Sequence, residues 1–162
     1  KTKKGWEKKT ISKPVTRSVD DEKVVLTSLK TQLKSSFGNA YVYELAENPA
    51  DALELIDEFN DDDTTIILIV SDWLMPGMKG DEFLIRVHKK FPKIVKVMLT
   101  GQADEDAVQR AFDEADLHRC LHKPWSEEDL IETIQTALSL WANKWLFASM
   151  TKPRFWKASK LN

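Results

Sequence analysis

The residues best suited to chemistry stand where apolar segments of the chain end. Asp20 and Asp21 follow one such segment, Asp72 follows another, and Thr100 and Lys123 follow two later ones. Crowded carboxylates repel one another and need a cation, and a site with few hard oxygen ligands favours a Mg²⁺ ion that keeps several waters. A lysine and a hydroxyl opposite would hold the oxygens of a phosphoryl group. The set therefore predicts a carboxylate-lined Mg²⁺ site, at Asp20, Asp21 and Asp72, that is suited to phosphoryl chemistry.

The apolar segments alternate with amphipathic ones, which predicts five strand–helix pairs. Residues 66–70 are a nearly continuous β-branched run, typical of a central parallel strand buried on both faces. The helical segments instead repeat apolar residues at three- and four-residue steps, as in Leu26, Leu29 and Leu33. The predicted strands are 15–19, 41–45, 65–70, 94–99 and 117–121, and the predicted helices are 24–37, 49–59, 81–91, 105–115 and 127 onward.

This order of elements predicts an α/β fold with a doubly wound, five-stranded parallel sheet and right-handed crossovers. Ligands of such sheets bind beyond the carboxyl ends of the strands, at the point where the strand order reverses. The polar residues that follow the strands are therefore expected to meet at one edge of the sheet.

Capping residues support the helix boundaries. Ser126 is followed by three acids and is a good N-cap, because negative charge is favourable near the start of a helix. Asn48 precedes Pro49 and is predicted to cap the second helix, with proline at the first helical position. The last helix is expected to run on to residue 150, and Pro153 is expected to stop any regular continuation.

Length and composition favour one folded domain plus ends. The chain has 162 residues, 42% of them hydrophobic, which is enough for one core. No stretch approaches the roughly 20 apolar residues of a membrane-spanning helix, and the N-terminus lacks the apolar core of a signal peptide. We therefore expect a soluble, cytoplasmic protein. A single cysteine excludes an internal disulfide framework and a cysteine-based zinc site, and the three histidines lack a metal-binding spacing, so metal chemistry must use carboxylates.

The net charge of −2 conceals basic ends around an acidic body. Residues 1–19 carry a net charge of +6 and residues 143–162 carry +5, which leaves −13 for the residues between them. We divide the chain into a basic N-terminal segment (1–13), a body (14–142) and a basic, aromatic C-terminal extension (143–162). Such ends are usually solvated tails or interaction arms. The aromatics of the extension could pack back on the body, form a docking or dimer contact, or touch nucleic acid or an anionic membrane, and the ends could belong to a larger protein.

Four separated motifs resemble those of the receiver domain of two-component response regulators: VDDE (19–22), SDWLMPGMKGDEFL (71–84), VMLTG (97–101) and LHKPW (121–125). They agree in type, order and spacing, and the resemblance covers about residues 14–142. It implies a flavodoxin-like (βα)5 three-layer sandwich, here with an extended C-terminal helix. It also implies a signalling module rather than an enzyme, one that takes part only in its own Mg²⁺-dependent phosphorylation and slow dephosphorylation.

The resemblance assigns the carboxylates distinct roles. Asp72 would be the phosphoacceptor, attacking the phosphorus of a histidine-kinase phosphohistidine or of a small phosphodonor in an in-line transfer. Asp21 and Asp72 would be direct Mg²⁺ ligands together with the backbone carbonyl of Leu74. Asp20 would act on the ion through a water.

The resemblance also assigns the phosphoryl contacts. Thr100 would bond a phosphoryl oxygen and shift inward on phosphorylation. Lys123 would pair with the phosphoryl group, or with Asp72 before transfer. A cis peptide bond between Lys123 and Pro124 would fix the direction of the ammonium.

The same resemblance implies the partners. They would be a sensor histidine kinase or a phosphotransfer protein upstream and a protein effector downstream. The signal would leave through the face formed by the fourth helix, the fifth strand and the fifth helix, and this face could also form a homodimer. Contact of the basic ends with nucleic acid or a membrane is not expected.

The sequence departs from the family pattern at three places. Arg17 lies in the first strand, where the family has an apolar run, so either that strand is frayed or its register is unusual. Cys120 stands where the family commonly has an aromatic that rotates inward as Thr100 moves, which leaves the coupling of phosphorylation to output open. Leu74 cannot orient a water, so we predict a fairly long-lived phosphoryl-aspartate unless Gln102 takes over that task.

Two other functions are weighed against this one. A pseudo-receiver or scaffold module would bind partners without phosphorylation, which the departures at Arg17 and Cys120 allow. A Mg²⁺-dependent hydrolase of the aspartyl-phosphate type would carry an acid two residues after the nucleophile as its general acid. Leu74 occupies that place and counts strongly against a hydrolase.

Overall fold

Five parallel strands form one sheet at the centre of the molecule. They are β1 (Val15–Val19), β2 (Val42–Ala46), β3 (Ile66–Asp72), β4 (Val95–Thr100) and β5 (Arg119–His122). Their spatial order is β2-β1-β3-β4-β5, so the order reverses between β1 and β3. The structure is a computed structural model that describes residues 13–60, 65–102 and 104–160. For residues 58–60 and 145–160 it describes the backbone, and for the others the side chains as well.

Helices cover both faces of this sheet. They are α1 (Lys23–Phe37), α2 (Pro49–Asn60), α3 (Gly80–Lys90), α4 (Glu105–Ala115) and α5 (Glu127–Lys160), with a short 3-10 helix at Gly38–Ala40. α1 and α5 contribute Leu29 and Leu130 to one core, while α3 and α4 contribute Phe83 and Ala111 to a core on the opposite face. The predicted doubly wound, three-layer α/β fold is confirmed.

β3 is buried along its whole length. All seven of its residues are buried, and it pairs with β1 on one side and β4 on the other. Ile69 belongs to one core and Val70 to the other, as the continuous apolar run predicts. Ser71 and Asp72 extend the strand beyond the predicted end at residue 70. A strand packed on both faces therefore fixes the position of the Asp72 backbone.

The two predicted helix caps are confirmed. Ser126 Oγ accepts a hydrogen bond from the backbone N–H of Asp129 at 3.1 Å. Asn48 Oδ1 accepts one from the backbone N–H of Asp51 at 2.8 Å. Each bond satisfies an N–H that has no partner within its own helix.

α5 is longer than the sequence predicts. It runs from Glu127 to Lys160 over 34 residues, so the expectation that Pro153 ends it is wrong. An interior proline removes one hydrogen bond and crowds the carbonyl four residues earlier, but its fixed φ lies in the helical range, and the backbone here is helical on both sides of Pro153. Within the described residues, no helix has both the length and the apolar character needed to cross a membrane.

Arg17 lies in a regular strand, so β1 is not frayed. A shift in register between β1 and β3 does fall immediately before it, between Val15 and Thr16. The Arg17 side chain is fully buried, and its guanidinium donates to the Ala52 carbonyl of α2 at 3.4 Å. Burial lowers the pKa of Arg17, while the charge of Glu44 on the neighbouring strand favours its protonated form.

Candidate functional site

Three carboxylates meet beyond the carboxyl ends of β1 and β3. Asp72 is the last residue of β3, and Asp20 and Asp21 directly follow β1. These strands are parallel neighbours at the reversal in strand order, so their ends lie side by side. One carboxylate oxygen from each of the three residues lies within 4.8 Å of the other two. Asp20 and Asp72 are buried and Asp21 is exposed, so Asp21 forms the open side of this carboxylate cluster.

Lys123 brings an ammonium group to the carboxylate cluster. Its Nζ donates to Asp20 Oδ2 at 2.8 Å and lies 3.0 Å from Asp72 Oδ1. Its backbone N–H donates to the Thr100 carbonyl at 2.8 Å, which ties the segment after β5 to the end of β4. The peptide bond between Lys123 and Pro124 is cis, as expected. The ammonium offsets part of the repulsion between Asp20 and Asp72.

Burial and charge together shift the pKa values of the cluster. The pKa of Asp72 is raised, chiefly because burial disfavours its charged form; the Asp20 charge raises it further and the hydrogen bond from Lys123 lowers it. Burial acts to lower the pKa of Lys123, but its bonds to Asp20 and Asp72 outweigh burial and raise that pKa. Burial thus keeps the pKa of Asp72 raised even beside the Lys123 ammonium, and a bound divalent cation would favour its charged form.

The donor set of the carboxylate cluster fits Mg²⁺. The three acids supply hard oxygen ligands, and the exposed position of Asp21 leaves room for the waters that Mg²⁺ keeps. Leu74 lies two residues after Asp72, and its side chain points away from the core with 58% of its surface exposed. Because a leucine side chain contains no oxygen, Leu74 can bind an ion only through its backbone carbonyl.

Thr100 stands at the next strand end along the sheet. It is the last residue of β4 and is buried. Its Oγ1 accepts a hydrogen bond from the backbone N–H of Gln102 at 3.2 Å. This bond uses only an acceptor site of the hydroxyl, so Thr100 can still donate its hydroxyl hydrogen to another group.

Gly80 allows α3 to begin directly against the end of β3. A Cβ atom at this position would lie 2.2 Å from the backbone oxygen of Asp72 and 2.8 Å from the Trp73 Cα. The Gly80 N–H donates to the Trp73 carbonyl at 2.7 Å. Only glycine fits so close to the backbone, and the first residue of α3 is thereby bonded to the residue that follows Asp72.

Comparison with known proteins identifies the family. The family model of the response regulator receiver domain matches residues 17–135, most of the chain. The chain belongs to the response regulator receiver domain family. Its fold and its four motifs are those expected of a receiver domain.

Relatives of this receiver domain include longer proteins. It is 32% identical over 117 residues to the response regulator protein VraR of Staphylococcus saprophyticus. The matched region covers 72% of this chain and 53% of that protein. It is 33% identical over 73 residues to the hydrogenase transcriptional regulatory protein HoxA of Cupriavidus necator, covering 45% of this chain and 15% of that protein. The chain thus spans about half or less of the length of these relatives.

A solved structure shows the same architecture. The crystal structure of a response regulator receiver domain protein (CheY-like) from Methanospirillum hungatei has a TM-score of 0.71 and 28% sequence identity. The match covers 82% of this chain and 99% of that chain. The receiver fold is therefore shared over nearly all of that protein.

Cys120 and the three histidines are not part of the carboxylate cluster of the receiver domain. Cys120 is half-buried against the core beneath α3 and α4, and burial raises the pKa of its thiol. His122 is exposed, and His118 Nε2 lies 2.8 Å from Thr136 Oγ1. His88 Nδ1 lies 2.7 Å from the Nζ of Lys96, a buried lysine in β4.

Sequence reasoning missed a polar link beside the receiver site. Trp73, which directly follows Asp72, donates its indole N–H to Asp81 Oδ1 at 3.2 Å. Arg110 of α4 donates to Asp81 Oδ2. The sequence predicts Asp81 only as part of the opening of the third helix. No local pattern marks the link, because Asp81 and Arg110 lie in different helices.

Proposed function

We propose that the chain accepts a phosphoryl group on Asp72 in a Mg²⁺-dependent reaction, as the receiver domain of a two-component or phosphorelay signalling system. The observation that carries this proposal is the carboxylate cluster of Asp20, Asp21 and Asp72, with Lys123 bonded to Asp20 and next to Asp72. The three carboxylates outnumber the ammonium by two charges, and one divalent cation balances them. Membership of the receiver family supports the same reaction.

Phosphoryl transfer asks a protein mainly for positioning and for stabilisation of charge. A carboxylate oxygen of Asp72 attacks the phosphorus in line, the bond to the donor nitrogen of a phosphohistidine breaks, and an acyl phosphate forms on Asp72. Lys123 Nζ, 3.0 Å from Asp72 Oδ1 before transfer, remains as the cationic contact of the new group. Thr100 donates its hydroxyl hydrogen to a phosphoryl oxygen, a bond compatible with the one that its Oγ1 accepts from the Gln102 N–H.

Asp21, Asp72 and the Leu74 carbonyl would hold the Mg²⁺ ion directly, and Asp20 would act through a water. When bound, the ion neutralises the negative charge that the donor and the acceptor bring together. The residues of the chain do the rest: Asp20 and Lys123 hold each other, and this bond orients the ammonium toward Asp72. Leu74, with no group that can orient a water, leaves the acyl phosphate fairly long-lived unless Gln102 supplies that function.

The proposed context is a cytoplasmic signalling pathway. Upstream lies a sensor histidine kinase or a phosphotransfer protein, and downstream lies a protein effector that reads the face formed by α4, β5 and α5, or a second copy of the chain that docks on it. We assign residues 14–142 to the receiver domain, residues 1–13 to a basic segment and residues 143–162 to a basic, aromatic extension. The domain acts as a switch, and its only chemistry is its own phosphorylation and slow dephosphorylation.

The test is to add Mg²⁺ with acetyl phosphate, or with beryllofluoride as a phosphoryl mimic, and to follow tryptophan fluorescence and intact mass. Trp73 directly follows Asp72, and Trp125 lies two residues beyond Lys123, so the emission is expected to change saturably. The intact mass is expected to increase by one phosphoryl group with acetyl phosphate.

Asp72→Asn is expected to abolish both signals. The matched control is Asp57→Asn, which removes an acid that is exposed on α2 and pairs only loosely with Lys90 at 3.3 Å. A wild-type protein that shows no Mg²⁺-dependent change would instead be a phosphorylation-independent interaction module.

A further inference from the structure

A chain of contacts leads from the residue after Asp72 to the outer helix α4. The Trp73 indole N–H donates to Asp81 Oδ1 at 3.2 Å, and the Arg110 guanidinium donates to Asp81 Oδ2. We call these three residues, Trp73, Asp81 and Arg110, the α3–α4 clamp. One carboxylate thus bonds the end of β3 with one oxygen and α4 with the other.

The first half of the α3–α4 clamp is rigidly attached to the site. Gly80 donates its N–H to the Trp73 carbonyl at 2.7 Å, and the space for a Cβ at Gly80 is filled by the backbone of Asp72 and Trp73. Trp73 also donates its own backbone N–H to the Leu99 carbonyl at 2.9 Å. A displacement of the Asp72–Trp73 backbone therefore displaces the start of α3, including Asp81.

The second half of the clamp is held by charge. The Asp81 side chain is 1% exposed, whereas the Arg110 side chain is 54% exposed. A buried carboxylate needs partners, because an unpaired charge in the interior is costly. Lys79 Nζ lies 5.0 Å from the centre of the Trp73 ring, on the indole itself rather than on Asp81. Among the side chains that the structure describes, Arg110 is the cation that forms an ion pair with Asp81, and it belongs to a different helix.

We propose that the α3–α4 clamp holds α4 in the unphosphorylated position and that phosphorylation of Asp72 is transmitted to α4 by weakening the bond between Asp81 and Arg110. This inference rests on the proposed function. Only residues 101–104 separate Thr100 from α4, so the inward shift of Thr100 that the family resemblance implies would displace the start of α4 relative to α3. Such a displacement would lengthen or reorient the bond between Asp81 and Arg110. The clamp supplies a route from the site to α4 that does not pass through Cys120.

Thermodynamic reciprocity gives the sign of the effect. If phosphorylation weakens the clamp, then breaking the clamp favours the phosphorylated conformation, and by the same factor. A variant without the clamp is therefore expected to bind a phosphoryl mimic more tightly than the wild type. Coupling between two sites commonly changes affinity by about fivefold or more. Because solvent weakens an ion pair whose arginine is half-exposed, we expect an effect at the low end of this range, about fivefold.

The experiment measures the apparent affinity for beryllofluoride at a fixed, saturating Mg²⁺ concentration. The test variant is Arg110→Met, which keeps the aliphatic stem and removes the donor. The matched control is Arg86→Met, because Arg86 is also about half-exposed and pairs with an acid, Glu82, at 2.8 Å, but lies outside the clamp. Asp72→Asn provides the background without a phosphoacceptor.

A second variant addresses the other side of the clamp. Asp81→Asn keeps an acceptor for the Trp73 indole and removes the charge that holds Arg110, so it is expected to tighten mimic binding as Arg110→Met does. Combining Arg110→Met with Trp73→Phe tests the route, since the effect of Arg110→Met is expected to shrink when the indole N–H is absent. A purely structural pair would change the unfolding free energy of each variant but not the affinity for the mimic.

The outcomes are distinct. Tighter binding by about fivefold in Arg110→Met, with no change in Arg86→Met, supports the clamp. If the wild type binds the mimic but Arg110→Met stays within about twofold of it, or if both arginine variants change equally, the clamp is overturned and the proposed function stands. If the wild type does not bind the mimic at all, the proposed function fails and the clamp fails with it.

Discussion

Lys96 offers a direct test of how this fold tolerates a buried charge. It lies in β4 with no exposed surface, and its Nζ is 2.7 Å from His88 Nδ1. The charges that act on it are Lys144 of α5, which disfavours its protonated form, and Asp116 at the end of α4, which favours it. Burial is the largest effect and lowers the pKa of Lys96 from 10.5 to about 8.

The size of this shift fixes the expected energies. A pKa lowered from 10.5 to about 8 corresponds to about 3 kcal/mol of preference for the neutral amine in the folded state. Below a pH of about 8 the lysine is charged in both states, so the folded protein bears the whole cost. Between that pH and 10.5 the unfolded chain binds more protons, so the stability of the folded protein rises with pH. Above a pH of 10.5 the lysine is neutral in both states, and the folded protein no longer bears the cost of burying its charge.

Lys96→Met keeps the aliphatic stem and removes the amine, so it is expected to raise the unfolding free energy at neutral pH by up to about 3 kcal/mol. The measurement is urea denaturation of both proteins from pH 7 to pH 11. Only the difference between the two curves is used, because every ionisable group other than Lys96 is common to both proteins. That difference is expected to shrink as the pH rises through the interval from about 8 to 10.5.

Lys93→Met is the matched control, because Lys93 is exposed and lies just before β4. Its stability is expected to stay within about 0.5 kcal/mol of the wild type, as is usual for an exposed residue. A constant difference between Lys96→Met and the wild type across this pH range would refute the reasoning, since it would mean that the amine titrates alike in the folded and unfolded states.

Two further predictions concern the carboxylate cluster and the start of α3. Mg²⁺ at about 100 times its dissociation constant is expected to stabilise the protein by about 2.7 kcal/mol, measured as a rise in melting temperature. Asp21→Asn is expected to lose most of this rise. Glu22 is a neighbouring exposed acid, and Glu22→Gln is expected to keep the rise. Equal Mg²⁺ stabilisation in both variants would argue against Asp21 as a ligand. Gly80→Ala is expected to cost about 2 kcal/mol or more in urea denaturation, because the added Cβ meets backbone atoms. Gly101→Ala, with open space around it, is expected to stay within about 0.5 kcal/mol of the wild type, and a similar cost for both would contradict the packing argument.

Features that depend on local periodicity could be predicted from the sequence. The β-branched run at residues 66–70 is β3, and the caps at Asn48 and Ser126 are formed as expected. Convergence of Asp20, Asp21 and Asp72 required one more step, which is that parallel strands end at the same edge of a sheet. That step needs only the alternation of strands and helices along the chain, which the apolar and amphipathic segments of the sequence indicate.

Some features could not be predicted from local signals. Pro153 is a strong local stop signal, yet α5 continues past it to Lys160. The sequence could not decide whether Arg17 frays the first strand or sits in an unusual register. Only the structure shows the α2 carbonyl that its guanidinium contacts and the shift in register between Val15 and Thr16.

The residues found by pattern and those found only in the structure differ in what their positions require. A residue at a strand end reaches the site whenever its strand takes its place in the sheet, so Asp72 and Lys123 depend on the topology alone. The Asp81–Arg110 pair also requires one particular packing of α3 against α4, because the two residues must face each other across the helix boundary. A change at Arg110 is therefore able to separate two properties of the domain. Acceptance of the phosphoryl group depends on the strand ends and is expected to persist, with a tighter affinity for the mimic, while α4 is expected to leave its unphosphorylated position even without the phosphoryl group.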